Sequence, residues 1–226
     1  MTCVPGDRVL LLRTTAILVL ASLTTSVVAL QTPPVRSFDA DKPGLPPEGF
    51  TFAATRQDAP GAWLVQRQGQ NGVLGHVSDP ARRGYALALA PGDPQNDLIL
   101  SARLRLAGGA RIGGLVWRYQ DADNFYAAVL DLSRGTLLLY LFRNGNRITI
   151  ESRGGLELDP EAWHSLRVVH ERTSVYVAIG GVRVFEERDG RLERTLGPGR
   201  AGLIATGDSE TLFDDLRVEP PRERRP

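Results

Sequence analysis

Cysteine is almost missing from this chain. The one cysteine among 226 residues is Cys3, ahead of an apolar run at the N terminus. Past that run there is no thiol, which excludes thiol catalysis, disulfide staples and Cys-ligated zinc. A lipoprotein cysteine would follow such a run, so Cys3 is not one. Surplus charge is missing too: 27 Lys and Arg stand against 26 Asp and Glu. No basic field exists to attract nucleic acid, and no nucleic-acid partner is expected. No serine sits in a G-x-S-x-G elbow, no His-Glu-x-x-His occurs, and no glycine-rich turn leads from a strand into a helix. No window of about 12 residues in the body of the chain has a 3.6-residue period, so the fold is not built on helices.

What is present begins with an address. Arg8 and Arg13 flank the start of the run TTAILVLASLTTSVVAL, and Val27-Val28-Ala29 offers a small residue for cleavage. Residues 1–29 therefore read as a secretory signal peptide. The alternative is an uncleaved membrane anchor, although Thr14 to Leu30 is at the short end of the ~17–25 residues a span needs. Either way the body of the protein is secreted or periplasmic, and a membrane partner follows only from the second reading. Residues 30–47 hold Pro33, Pro34, Pro43, Pro46 and Pro47 and read as an extended lead-in with one apolar touch at Phe38. Residues 220–226 read as a disordered tail.

Residues 48–219 alternate short β-rich runs with turn chemistry. Strands are expected near 50–53, 62–66, 72–77, 85–90, 97–106, 111–119, 124–132, 136–143, 146–152, 163–170, 174–180, 182–187, 201–206 and 212–218. Strands at this density imply an all-β, two-sheet antiparallel β-sandwich or jelly roll. Asn144-Gly145 and Gly180-Gly181 are the strongest hairpin signals, because these residues accept positive φ.

Pairing the middle strands sorts their side chains by face. A two-residue turn at Asn144-Gly145 sets Phe142 opposite Arg147 and Tyr140 opposite Thr149. A turn at Ser133-Arg134-Gly135 sets Leu130 opposite Leu138 and Tyr126 opposite Phe142. A turn over 120–123 sets Trp117 opposite Tyr126, and a hairpin through 107–111 sets Leu104 opposite Gly114. One face then collects Leu100, Ala102, Leu104, Val116, Ala127, Val129, Leu139, Leu141, Ile148 and Ile150, the expected sandwich filling. The other collects Ser101, Arg103, Leu115, Trp117, Tyr119, Tyr126, Tyr140, Phe142, Arg147, Thr149 and Glu151. Rings beside hydrogen-bonding groups suit a sugar, which has an apolar C–H face and a hydroxyl rim. The same rings also suit packing beneath another segment or subunit.

The segments GLVWRYQDADNFYAAVLDL, LYLFRNGNRITIE, EAWHSLRVVHERTSVYVAIGGVRVFEERD and GLIATGDSETLFDDLRV carry a resemblance. With its D-x-x-N-F-Y strand, W-H-x-L-R-V strand and closing F-D-D-L-x-V strand, the chain resembles the concanavalin A-like lectin/glucanase superfamily of jelly rolls. Within it, the chain is most similar to the 3-keto-disaccharide hydrolase-like family and related laminin-G-like modules. The resemblance spans roughly residues 48–219 and implies a concanavalin A-like jelly roll. It implies sugar recognition or hydrolysis without fixing which, because the fold carries lectins, hydrolases and adhesion modules.

The expected ligand-binding residues are Arg103, Trp117, Tyr119, Tyr126, Tyr140 and Arg147, on an exported, lectin-like carbohydrate-binding domain. If the protein is instead a hydrolase of 3-keto-glycosides, Glu151 is the candidate base on the aromatic face. A third reading is an envelope protein-interaction module without catalysis. Glu157, Asp159 and Glu161 have the i, i+2, i+4 spacing of a glucanase strand, but Pro160 interrupts them and predicts a turn. His164 and His170 lie six residues apart, too far to share a metal, and they and His76 are expected to be structural. No cofactor is expected; a structural Ca²⁺ on loop acids among Asp39, Asp208, Asp214 and Asp215 is the alternative.

Overall fold

Asn144 and Gly145 have φ of 50° and 74°, and Gly180 and Gly181 have 58° and 83°. Paired positive φ makes each a two-residue turn whose twist matches that of the strands it joins. The computed structural model describes residues 1–2, 35–56, 60–188 and 195–221. The signal-peptide reading of residues 1–29 therefore falls almost wholly outside the described residues, as do 222–226 of the tail. No helix among the described residues is long and apolar enough to cross a membrane.

The expected strands are all present: β1 (Thr51–Ala54), β2 (Ala62–Gln68), β3 (Asn71–Val77), β4 (Tyr85–Leu89), β5 (Leu98–Gly109), β6 (Ile112–Asp121), β7 (Asn124–Asp131), β8 (Thr136–Arg143), β9 (Asn146–Arg153), β10 (His164–Glu171), β11 (Ser174–Ile179), β12 (Val182–Arg188), β13 (Arg200–Thr206) and β14 (Ser209–Glu219). They form two seven-stranded antiparallel sheets, in the orders β1-β4-β13-β6-β7-β8-β9 and β12-β11-β10-β5-β14-β3-β2. Between them lies the main core, with Leu98, Leu100, Ala102 and Leu104 of β5 meeting Leu115, Ala128, Leu137 and Leu139 of the opposite sheet. Burial of each such aliphatic side chain is worth about 1.5–3 kcal/mol, which holds the sheets together.

A second apolar cluster draws only on the first sheet: Tyr85, Leu87 and Leu89 of β4, Val116 of β6, Phe125, Ala127 and Val129 of β7, Tyr140 and Phe142 of β8, and Ile204 of β13. These alternate with main-core residues along their strands, so they occupy the face turned away from the second sheet.

The 107–111 hairpin is not formed. β5 pairs with β10 and β14 in one sheet, while β6 pairs with β7 and β13 in the other. Gly109 (φ 67°) and Arg111 (φ 56°) turn the chain from sheet to sheet. Both edges of β5 are taken by strands distant in sequence, which local turn chemistry does not reveal.

The proline-rich lead-in is seated on the sandwich. Phe38 is buried in the main core, and Arg36 and Leu216 exchange backbone hydrogen bonds. The Asp39 carboxylate accepts the Gly72 N–H at 2.7 Å. That bond, the largest cause, holds the Asp39 carboxyl below its usual range. A side chain at Gly72 would run into the Phe38 carbonyl. Gly72→Ala is therefore expected to cost about 1–3 kcal/mol by overpacking, read as a lower urea midpoint. An unchanged midpoint would mean that the lead-in is not held there.

Candidate functional site

Three local features decide which side chains reach the outer face of the first sheet. The first is the β7–β8 turn. Asp131 pairs with Thr136, Tyr126 with Leu141 and Phe125 with Phe142. The loop is one residue longer than the three-residue turn expected at 133–135. A one-residue slip exchanges the faces of everything upstream. Trp117 and Tyr126 do face each other across β6 and β7, but on the inner side, where both are fully buried. Val116, Ala127 and Val129 correspondingly move from the expected filling to the outer cluster.

The second feature is an irregularity in β6 between Trp117 and Asp121, where Arg118 has φ of 46°. Against β13 the irregularity inserts one residue in β6, which restores the outward direction of Tyr119; Tyr119 packs on Phe125 with ring centres 6.0 Å apart. The third is a bulge in β9. Thr149 opposes Tyr140, yet Glu151 opposes Leu139, a main-core residue. Cross-strand partners share a face. Glu151 is thus off the aromatic face on which it was expected, and its carboxylate binds the Ser152 N–H at 3.0 Å.

Arg103 also lies elsewhere. It belongs to the second sheet, where it pairs with Asp215 at 3.4 Å and stacks over Trp163 at 5.1 Å. Arg105 covers the same ring at 5.9 Å.

Trp117 and the histidines have structural partners. The Trp117 indole N–H donates to His170 Nδ1 at 2.8 Å. Beside them the buried Arg118 binds the Asn96 and Leu196 carbonyls at 2.7 and 3.1 Å and faces Asp97 at 3.6 Å. His164 meets the Asp159 carbonyl, and His76 the Ser209 carbonyl, each at 2.8 Å. Residues 157–161 form the expected turn: the Asp159 carboxylate accepts the Glu161 N–H, and Glu161 pairs with Arg111. Of the four candidate acids, Asp214 accepts from Asn71, Asp39 from Gly72, and Asp215 pairs with Arg103. No three His, Cys, Asp or Glu converge among the described residues.

What remains on the outer face is Tyr119, Tyr140, Phe142, Arg147 and Thr149, joined by Tyr85 of β4. The rings pack on one another: Phe125 stacks on Phe142 at 4.2 Å and 15°, and Tyr85 meets Phe142 edge-on at 5.6 Å. Tyr140 is only 6% exposed, so it supports the surface rather than forming an open stacking platform. Arg147 lies over the Tyr140 ring at 4.9 Å and donates to the Tyr85 hydroxyl at 2.9 Å. Burial pushes the Tyr85 phenol up to about 12 against the opposing pull of Arg147. Tyr85 therefore stays a neutral phenol.

Where this face ends, a recess of about 580 Å³ opens, lined by Arg56, Arg83, Tyr85, Asp123, Phe142, Asn146 and Arg147, among others. That size lies within the ~300–1,000 Å³ of small-molecule sites. Its walls come from segments far apart in sequence. Pairing of β1 with β4 sets Ala54 beside Ala86, and the Thr55 hydroxyl accepts the Tyr85 N–H at 2.9 Å. Arg56 and Arg83, just beyond, therefore flank one rim. The β6–β7 and β8–β9 turns meet opposite, with the Gly145 N–H donating to the Asp123 carbonyl at 3.2 Å. Arg56, Arg83 and Tyr85 are absent from the sequence-based set. The pairing of β1 with β4 skips two strands, so no turn announces it.

No protein-family model matches the chain, and no curated protein matches it. Solved structures do. A carbohydrate-binding module, CBM66, from Bacillus subtilis is 20% identical with a TM-score of 0.61, over 76% of this chain and 95% of that one. A Bacillus subtilis protein of unknown function with a galectin-like fold is 13% identical with a TM-score of 0.53, over 75% and 89%. A Bacillus licheniformis GH43 protein, BlXynB, is 16% identical with a TM-score of 0.56, over 81% of this chain but 39% of that one. The chain has the concanavalin A-like jelly-roll fold.

Proposed function

We propose that this chain is an exported carbohydrate-binding domain whose glycan seats in the recess beside Tyr85 and Arg147. One observation carries the reading. A neutral phenol, a guanidinium anchored on Tyr140, the Asn146 amide and the Asp123 carboxylate converge on a concave surface with a Phe142 wall. Donors and acceptors around an apolar wall are what a saccharide's hydroxyls and C–H surfaces require. The likeness of the fold to a carbohydrate-binding module supports it. In this reading Arg147 binds the glycan, Tyr140 supports Arg147 from beneath, and Tyr119 extends the same face. Glu151 does not line the recess.

The test is calorimetric titration with a panel of neutral and acidic oligosaccharides. Arg147→Ala is expected to weaken the best binder about ten- to hundredfold, the loss of a charge-assisted hydrogen bond. Its urea midpoint should move little, because Arg147 is exposed. Glu151→Gln should leave affinity unchanged. A panel with no binder, or full affinity in Arg147→Ala, would falsify the reading.

A further inference from the structure

We propose that the recess takes an acidic saccharide, one bearing a carboxylate or sulfate, rather than a neutral one. The proposal rests on the carbohydrate reading and specifies its ligand. The lining holds three guanidinium groups, Arg56, Arg83 and Arg147, and one carboxylate, Asp123. The whole chain is nearly balanced, at +1, so this excess of cations is local.

Ion pairs engage eight of the described arginines, Arg36, Arg82, Arg103, Arg111, Arg118, Arg134, Arg183 and Arg188, and none engages Arg56, Arg83 or Arg147. Adjacent residues differ in this way: Arg82 is bound to Asp79 at 2.9 Å, while Arg83 next to it lines the recess. Arg147 is fixed by a neutral hydroxyl and a ring face, which leave its charge uncompensated and its other N–H groups open. Guanidinium presents up to five donors in a planar fork that matches carboxylate and sulfate oxygens two at a time. Arg56, held at φ 60°, stands at the rim where β1 ends. A neutral glycan would need hydroxyl acceptors at all three positions and would leave three like charges around one recess. One anionic substituent among them relieves that repulsion, and Asp123 remains to accept from a ring hydroxyl.

The experiment compares tetragalacturonate with its fully methyl-esterified form, and a sulfated oligosaccharide with its desulfated parent, by calorimetry at fixed ionic strength. At least one acidic form is expected to bind ten times more tightly than its neutral counterpart. Arg83→Ala and Arg56→Ala should each cut that preference about fivefold or more, and Asp123→Asn should strengthen acidic binding a few fold. Equal binding of acidic and neutral forms overturns this proposal and leaves the carbohydrate reading standing. Binding by neither these nor any panel member overturns both. Equally tight binding of inorganic polyphosphate reduces the recess to general charge attraction and also overturns the proposal.

Discussion

Trp117→Ala should destabilise the domain by about 4 kcal/mol or more, and Trp117→Phe by about 1–3 kcal/mol. The first figure follows from truncating a large aromatic side chain in a close-packed core. Trp117 is fully buried and stacked on Tyr126, with ring centres 5.8 Å apart and planes 18° apart. His170 closes its edge. The resulting void would be bordered by Tyr126 and by an imidazole nitrogen with no donor. The phenylalanine variant keeps most of the volume but loses the five-membered ring with its N–H. Its cost combines a small void with leaving His170 Nδ1 buried and unsatisfied. Urea denaturation measures both. A total stability of about 5–15 kcal/mol is normal for a domain, so Trp117→Ala stands near the limit of folding. An alanine variant as stable as the parent that has lost only glycan affinity would return Trp117 to the surface.

That result bears on how far the sequence can be read. Asn144-Gly145 and Gly180-Gly181 declare their turns, because few residue pairs tolerate two positive φ values. Alternation between such landmarks makes each strand visible. Faces are harder, since parity is carried from strand to strand through every turn. A loop of 132–135 instead of 133–135 inverted β6 and β7 relative to β8, which exchanged Trp117 and Tyr126 with Val116 and Ala127. The irregularity at Arg118 inverted Tyr119 back, and the β9 bulge inverted Glu151. Neither carries a glycine or proline to announce it. Tyr140, Phe142 and Arg147 lie on the face expected of them because only one unambiguous turn separates them. Arg56 and Arg83 were invisible for a different reason: they meet through strands separated by a β-hairpin.

Acid should weaken the fold through His170. The Trp117 N–H can only donate, so Nδ1 must accept, and Nε2–H is left to donate to the Arg172 carbonyl at 3.2 Å. Both nitrogens are satisfied only in the neutral ring. Protonation would set one N–H against another. Burial above all, and then the nearby Arg118 charge, depress the imidazole from 6.5 to about 3. The folded value lies below the unfolded one, so the unfolded chain takes up the proton first. The contribution of neutral His170 is complete above pH 6.5 and is lost as pH falls from there toward 3. The slope is at most about 1.4 kcal/mol per pH unit, or roughly 3 kcal/mol between pH 6.5 and 4. His76, lowered mainly by burial, acts in the same direction. Asp214, raised mainly by burial, gains from protonation in the folded state and opposes them in the acid range. His170→Gln keeps an acceptor for Trp117 and a donor for Arg172 without a titrating proton. The urea midpoint of the parent is expected to fall steadily from pH 7 to 4, and that of His170→Gln to fall much less. Parallel pH profiles for the two proteins would remove His170 as the cause.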